Sequence, residues 1–225
     1  MADVSARIPR VRLAHGARRA QLVALGVELL RSRPLDQLSL EDVAAAAGIS
    51  RALPFHYFAT RNDFLVAVVG SASKELLDAT NPDPALPPLE RLRSGLEGYI
   101  DYIEGNATAY IALVRGAAGA DEELRAVFDT TREVIVDRIL EGLGLIAESA
   151  LSRLAVRGWL GMVEETAVSW LRLRNLPRED VVWLLDASLV HSIAAIAERT
   201  GIEPHFGEIS QLTDPIETNQ EPTRP

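Results

Sequence analysis

The chain has 225 residues, 48% of them hydrophobic and 24% charged, enough to bury a core and ordinary for a globular protein. It contains no cysteine, which excludes disulfides, thiolate metal sites and a cysteine nucleophile. The formal net charge of −9 argues against a nucleic-acid partner only until its distribution is read: residues 1–61 carry nine arginines against five acids, for +4, and the remainder carries −13. An acidic body repels phosphate and orients a basic end toward it.

The first residues hold Arg7, Arg10 and Arg12 but no apolar stretch, so no secretory leader is expected, and the cytoplasm is the expected compartment. Residues 1–14 read as a flexible basic arm that could reach phosphates or a minor groove. From Ala17 to Arg33, Leu22, Leu25, Gly26 and Leu29 recur at spacings of three and four, which predicts a helix that Pro34 stops. Ser39 stands where an N-cap belongs, three residues before Asp42. The helix SLEDVAAAA that follows ends at Gly48, suited to a left-handed C-cap. Ser50 is the next N-cap, opening a short helix through Pro54 and His56. Two short helices joined by a glycine turn, with a longer helix in front, form a helix-turn-helix layout.

Thr60, Asn62 and Asp63 open a further helix from about Arg61 to Thr80, and the proline-rich NPDPALPP at 81–88 interrupts it. Helical patterns resume over 89–104, 107–118, 121–142, 148–174 and 178–199. Strand-like alternation and internal repeats are absent. After Gly201 the composition turns to Glu, Pro, Thr, Asn and Gln, and 205–225 reads as a disordered tail.

The last two helices are unusually apolar. Thirteen of the 17 positions from Val181 to Ala197 are apolar, interrupted by Asp186, Ser188, His191 and Ser192. Such a helix needs cover on more than one side, and 17 residues with Asp and His are too short and polar for a membrane span. One side is expected to meet the core and the other a second copy of the chain, through Val163, Trp170, Ala187, Val190 and Ala194.

Read from Ala44 to Leu65, AAAAGISRALPFHYFATRNDFL resembles the DNA-binding signature of TetR-type transcriptional regulators: an alanine helix, Ala-Gly-Ile-Ser, then an aromatic cluster and a basic residue at fixed spacings. The close match covers roughly residues 17–68. The resemblance implies an all-α homodimer with an N-terminal three-helix helix-turn-helix head (15–62) and a C-terminal helical ligand-binding and dimerisation bundle (63–204). It implies that Ser50, Arg51, Ala52 and Leu53 begin the recognition helix and that Phe55, His56 and Tyr57 lie at its far end. Arg61 takes the place of the family's lysine, and Ser39 that of a hydroxyl that meets phosphate. Three positions depart from the pattern. Pro54 replaces a leucine and removes a bonding N–H, so the short helix is expected to be distorted or to begin later. Phe55 replaces a tyrosine that donates to phosphate. Leu53 offers only apolar contact, suited to a thymine methyl.

In the body, Tyr99, Tyr102, Tyr110, Phe128, Trp159 and Met162 are the candidates to line a pocket, since tyrosine brings a polar tip and a large apolar body to one site. Enzyme chemistry finds no support. His15, His56, His191 and His205 lack metal-ligand spacing, no Gly-x-Ser-x-Gly elbow occurs, and GLGL at 142–145 is neither a P-loop nor a dinucleotide fingerprint. The expectation is a cofactor-free regulator, more a repressor than an activator. It would bind a pseudo-palindromic DNA operator as a dimer and answer to a small apolar or amphipathic effector, without a membrane partner. The alternative is a helical carrier or interaction protein whose head no longer binds specific DNA.

Overall fold

A computed structural model describes residues 14–116, 121–145 and 149–201. The expected basic arm, with Arg7, Arg10 and Arg12, and the expected tail at 205–225, with His205, lie outside the described residues. Within them the chain forms eight α-helices and no strand: α1 (His15–Leu30), α2 (Leu40–Ala46), α3 (Arg61–Ala79), α4 (Pro88–Gly105), α5 (Ala107–Gly116), α6 (Glu122–Gly142), α7 (Ala150–Leu173) and α8 (Arg178–Thr200). Two 3₁₀ turns, Leu35–Gln37 and Pro54–His56, flank α2.

The helices fall into two compact units. One comprises the residues up to Lys74 together with Thr108–Val127; the other comprises Glu75–Ala107 together with the residues from Phe128 onward. The break between Lys74 and Glu75 falls inside α3. The physical reason is burial: Phe64, Leu65, Val68 and Val69 of α3 are core residues. At Gly26 of α1 the absence of a Cβ is required, because one would stand 2.5 Å from the Val68 Cγ2 atom and 2.8 Å from Phe64 Cζ. Phe58 meets Phe64 edge to face at 5.2 Å, and the Arg19 guanidinium lies 5.0 Å over the Phe58 ring. Asn62 Nδ2 donates to Glu123 Oε2 at 2.7 Å, fastening the start of α3 to the start of α6.

The second unit is a bundle in which α8 packs on α7 and α4. Trp159 of α7 donates its indole N–H to the Leu185 carbonyl of α8 at 2.9 Å. Charged side chains clamp α6 to α7: Arg132 forks onto both oxygens of Glu164 at 2.9 Å, and Arg153 reaches Glu133 at 2.9 Å and Asp137 at 2.6 Å. Close approach recurs at Gly98 of α4, where a Cβ would lie 2.2 Å from the Ala79 carbonyl oxygen at the end of α3. By length and composition α8 could cross a membrane. Its buried Val181, Val182, Leu185, Leu189, Val190 and Ile193, packed on α4 and α7, make it a bundle helix.

Candidate nucleic-acid interface and effector cavity

The first unit builds its helix-turn-helix from local signals. Ser39 caps α2 by accepting the Asp42 N–H at 3.1 Å, while its own hydroxyl donates to Asp42 Oδ2 at 2.6 Å. Arg33 reaches the other carboxylate oxygen at 2.8 Å. The Ser39 hydroxyl first, and the Arg33 guanidinium next, hold the Asp42 carboxyl below its usual value. At the far end of α2, Gly48 adopts φ +63°, and the Ile49 N–H bonds the Ala44 carbonyl at 3.0 Å while the Gly48 N–H bonds that of Ala45 at 3.1 Å. This pair of bonds is a Schellman close, and the glycine makes it without strain.

After the turn the chain does not form the short α-helix expected from Ser50. Leu53 N–H bonds the Ser50 carbonyl at 3.0 Å, and the regular element between α2 and α3 after the turn is the 3₁₀ turn Pro54–His56. The carbonyl of Ser50 would take an α-helical bond from residue 54, and proline has no N–H to give. Pro54 is itself buried, whereas Ser50, Arg51, Ala52, Phe55 and His56 are exposed and Leu53 and Tyr57 are half-buried. Phe55 is 51% exposed, unusual for a large apolar side chain in a folded head. The Tyr57 ring packs against that of His15 with centroids 4.6 Å apart.

Two residues expected to hold phosphate have other occupations. The one proton of the Ser39 hydroxyl is committed to Asp42. Arg61 donates Nε–H to the Leu38 carbonyl at 2.9 Å and Nη2 to those of Leu35 and Asp36 at 3.1 and 2.8 Å. Three of its five donors thus tie the entry to α2 against α3, leaving Nη1 for any outside anion.

The second unit contains a cavity of about 90 Å³, partly open to solvent, walled by α4 (Leu92, Leu96, Tyr99), α6 (Ile135, Ile139) and α7 (Trp159, Leu160, Val163), with Arg91 and Arg138 also on its lining. Of the six residues expected to line a pocket, Tyr99 and Trp159 do so. Tyr102, Phe128 and Met162 do not appear on its wall, and Tyr110 belongs to the first unit. Helical rotation separates Met162 from its neighbours: Trp159 and Val163, four apart, share the inward face, and Met162 is exposed.

The same rotation corrects the expected dimer face. Val163, Trp170 and Val190 are buried within their own chain, Val163 on the cavity wall and Trp170 with its indole N–H on the Leu176 carbonyl at 3.0 Å. Ala187 and Ala194 are half-exposed. The large apolar side chains left uncovered on these helices are Leu151, Leu154, Met162 and Leu173 of α7 and Trp183 and Leu184 of α8. Burial by the chain's own fold cannot be distinguished from burial by a partner in a helix apolar on most sides, which is why sequence periodicity missed Trp183 and Leu184. Arg91 and Arg138 carried no sequence signal, since arginines on amphipathic helices read as solvated.

Residues 22–68 match the family model of bacterial regulatory proteins of the tetR family, and residues 88–192 match that of the tetracyclin repressor-like C-terminal domain. The chain belongs to the TetR family. A TetR-family regulator from Streptomyces coelicolor has a similar crystal structure, with TM-score 0.76 and 29% identity over 84% of this chain and 86% of that one. A TetR-like regulator from Rhodococcus sp. RHA1 shares the fold at TM-score 0.63 and 20% identity, covering 84% of this chain and 99% of its own. Among curated proteins, the HTH-type transcriptional activator FasR of Mycolicibacterium smegmatis is 22% identical over 171 residues, 71% of this chain and 75% of FasR. As a TetR-family protein the chain is a DNA-binding transcriptional regulator and not an enzyme.

Proposed function

We propose that this TetR-family protein is a one-component switch: a homodimer that binds a pseudo-palindromic operator and answers to a small apolar or amphipathic effector held in the second unit. The observation that carries the effector reading is the cavity among α4, α6 and α7, in a compact unit separate from the recognition segment. The uncovered Leu154, Met162, Trp183 and Leu184 support a two-fold pairing through α7 and α8, since large apolar side chains left exposed on two packed helices need cover. Arg51 and His56 are the base-edge candidates, with Phe55 and Leu53 offering apolar contact to thymine methyls. Arg61 Nη1 and Tyr57 are the candidates for phosphate. An effector that binds one arrangement of the dimer better than the other changes operator affinity by that preference, commonly about 5- to 150-fold.

The action on transcription follows operator position, and repression by occlusion is the simpler outcome for a dimer released by its effector. A second reading, activation, is favoured by the likeness to FasR, which is named an activator. In-vitro selection from random duplex DNA with the full-length protein tests the core of the proposal. Enrichment of a two-fold symmetric motif is expected. A single asymmetric half-site would defeat the dimer, and no enrichment from folded protein would defeat specific operator binding. Transcription in vitro from a promoter carrying the selected motif then separates repression from activation.

A further inference from the structure

The cavity has a polar feature that an apolar effector does not explain. It adjoins a second cavity of about 50 Å³ toward Pro88, Gly142 and Leu143, and both are lined by Pro82, Arg91, Leu92, Arg138 and Ile139. Two guanidinium-bearing residues therefore stand where the two spaces meet. Both arginines are half-buried. Arg138 donates Nη1 to the Leu77 carbonyl in the last turn of α3 at 2.7 Å. Arg91 lies close over α6, its Nη2 atom 3.1 Å from where a Cβ on Gly142 would stand, and among the described residues its guanidinium has neither a hydrogen bond nor a carboxylate partner. A half-buried guanidinium without an anion, beside a second one, amid apolar walls, is a site short of a negative charge.

We propose that this cavity binds an organic acid: a carboxylate gripped by Arg91 and Arg138, with its apolar part lying along Leu92, Leu96, Tyr99, Trp159 and Val163. The inference rests on the effector reading above and gives it a chemical class. Guanidinium forks match carboxylate geometry, and aliphatic and aromatic walls exclude a second charge. Size narrows the class further. The two spaces together approach the ~150 Å³ that holds one benzene in an engineered apolar cavity, so the tail is one aromatic ring or a short alkyl chain.

The site also has a route to the DNA-binding unit through the chain itself. Arg138 holds the carbonyl of Leu77, which belongs to α3, and α3 begins at Arg61 in the first unit. A bound carboxylate that draws the Arg138 guanidinium toward the cavity pulls on its Nη1–H bond to the Leu77 carbonyl. Acid binding and the closing turn of α3 are thereby coupled, and by linkage operator DNA and acid affect each other's affinity by the same factor.

The test is calorimetric titration of the full-length protein, without DNA, with phenylacetate and hexanoate, and with phenylacetamide as a neutral isostere. Tryptophan fluorescence serves as a second readout because Trp159 lines the cavity. Saturable binding of at least one acid is expected, about 10- to 100-fold tighter than the amide, the worth of a charge-assisted contact. Arg91→Gln should reduce acid affinity about tenfold and leave that for the amide unchanged, with Arg91→Lys intermediate; unchanged unfolding midpoints show that both variants fold. Equal affinity for acid and amide, indifference to Arg91→Gln and Arg91→Lys, or no saturable binding of either acid would each overturn the proposal. Because binding is read without DNA and operator selection is run without acid, loss of operator binding and loss of acid binding are separate outcomes.

Discussion

The two units of this chain are stabilised in different ways. The helix-turn-helix of the head is short elements closed by local bonds: a serine cap on α2, a glycine close after it, and a proline that stops a helix before it starts. The body is long helices joined by ion-pair clamps and indole hydrogen bonds, with a cavity left among them. Local bonds leave sequence signatures at fixed spacings, whereas a cavity is a property of how separate helices meet. The head is accordingly where sequence determines function by position, and the body is where it determines function by packing.

The largest effect that would test this contrast is at the close helix approaches. A Cβ at Gly98 meets the Ala79 carbonyl oxygen at 2.2 Å, backbone that cannot turn aside, whereas one at Gly26 meets the ends of two side chains. Alanine gains about 1 kcal/mol in helix propensity at either position. Gly98→Ala is expected to lose about 3 kcal/mol net, and Gly26→Ala about 1 to 2, because side chains can yield where a carbonyl cannot. Guanidinium unfolding midpoints decide it, and a reversed order would mean that the α3–α4 junction relaxes more easily than the head core.

On the DNA side, Arg51→Ala is expected to relax base preference at one position of the selected motif, worth about 1 to 3 kcal/mol, while dimerisation is spared. An unchanged motif would remove Arg51 from readout and leave Phe55, His56 and Leu53 to carry it. Arg61 comes next, because its two roles can be separated. Arg61→Lys keeps the charge but cannot span the carbonyls of Leu35, Asp36 and Leu38. It should lower stability by about 1 kcal/mol and preserve the salt dependence of DNA binding, whereas Arg61→Ala should lower stability similarly and reduce the salt slope by about one unit. A slope unaffected by Arg61→Ala would make the residue a structural tie and nothing more.

The helices from α1 to α8 were legible in sequence to within a few residues, because proline and glycine punctuate them and 3.6-residue periodicity fills them. The segment from Ser50 to Tyr57 was legible in part: the missing N–H of Pro54 foretold distortion, and only the bonds around Ser50 and Leu53 show that no α-helical turn precedes the 3₁₀ turn. The body's faces were the least legible. Val163, Trp170 and Val190 were as apolar as any interface residue, and which side of α7 and α8 each one occupied depended on where α4 and α6 packed. Arg91 and Arg138 show the same limit, since a guanidinium becomes part of a cavity only through the helices opposite it.

The smallest expected effect concerns Asp42, where the head's local bonding is also its acid sensitivity. With its carboxyl held below the usual value by the Ser39 hydroxyl and then Arg33, the folded head binds fewer protons there than the unfolded chain. The stabilisation is therefore complete above the unfolded carboxyl value of about 3.9 and is lost as pH falls through the lower folded value. Asp42→Asn removes the charge and the Arg33 pair but leaves the backbone N–H that Ser39 caps. Its cost at pH 7 is expected to be below about 1 kcal/mol, because the pair is partly solvated. The difference between wild type and variant should shrink as pH falls below the unfolded carboxyl value. A difference that persists undiminished to pH 2.5 would place the effect of Asp42 in packing or in the shape of the cap, and the charge would have no part in holding α2.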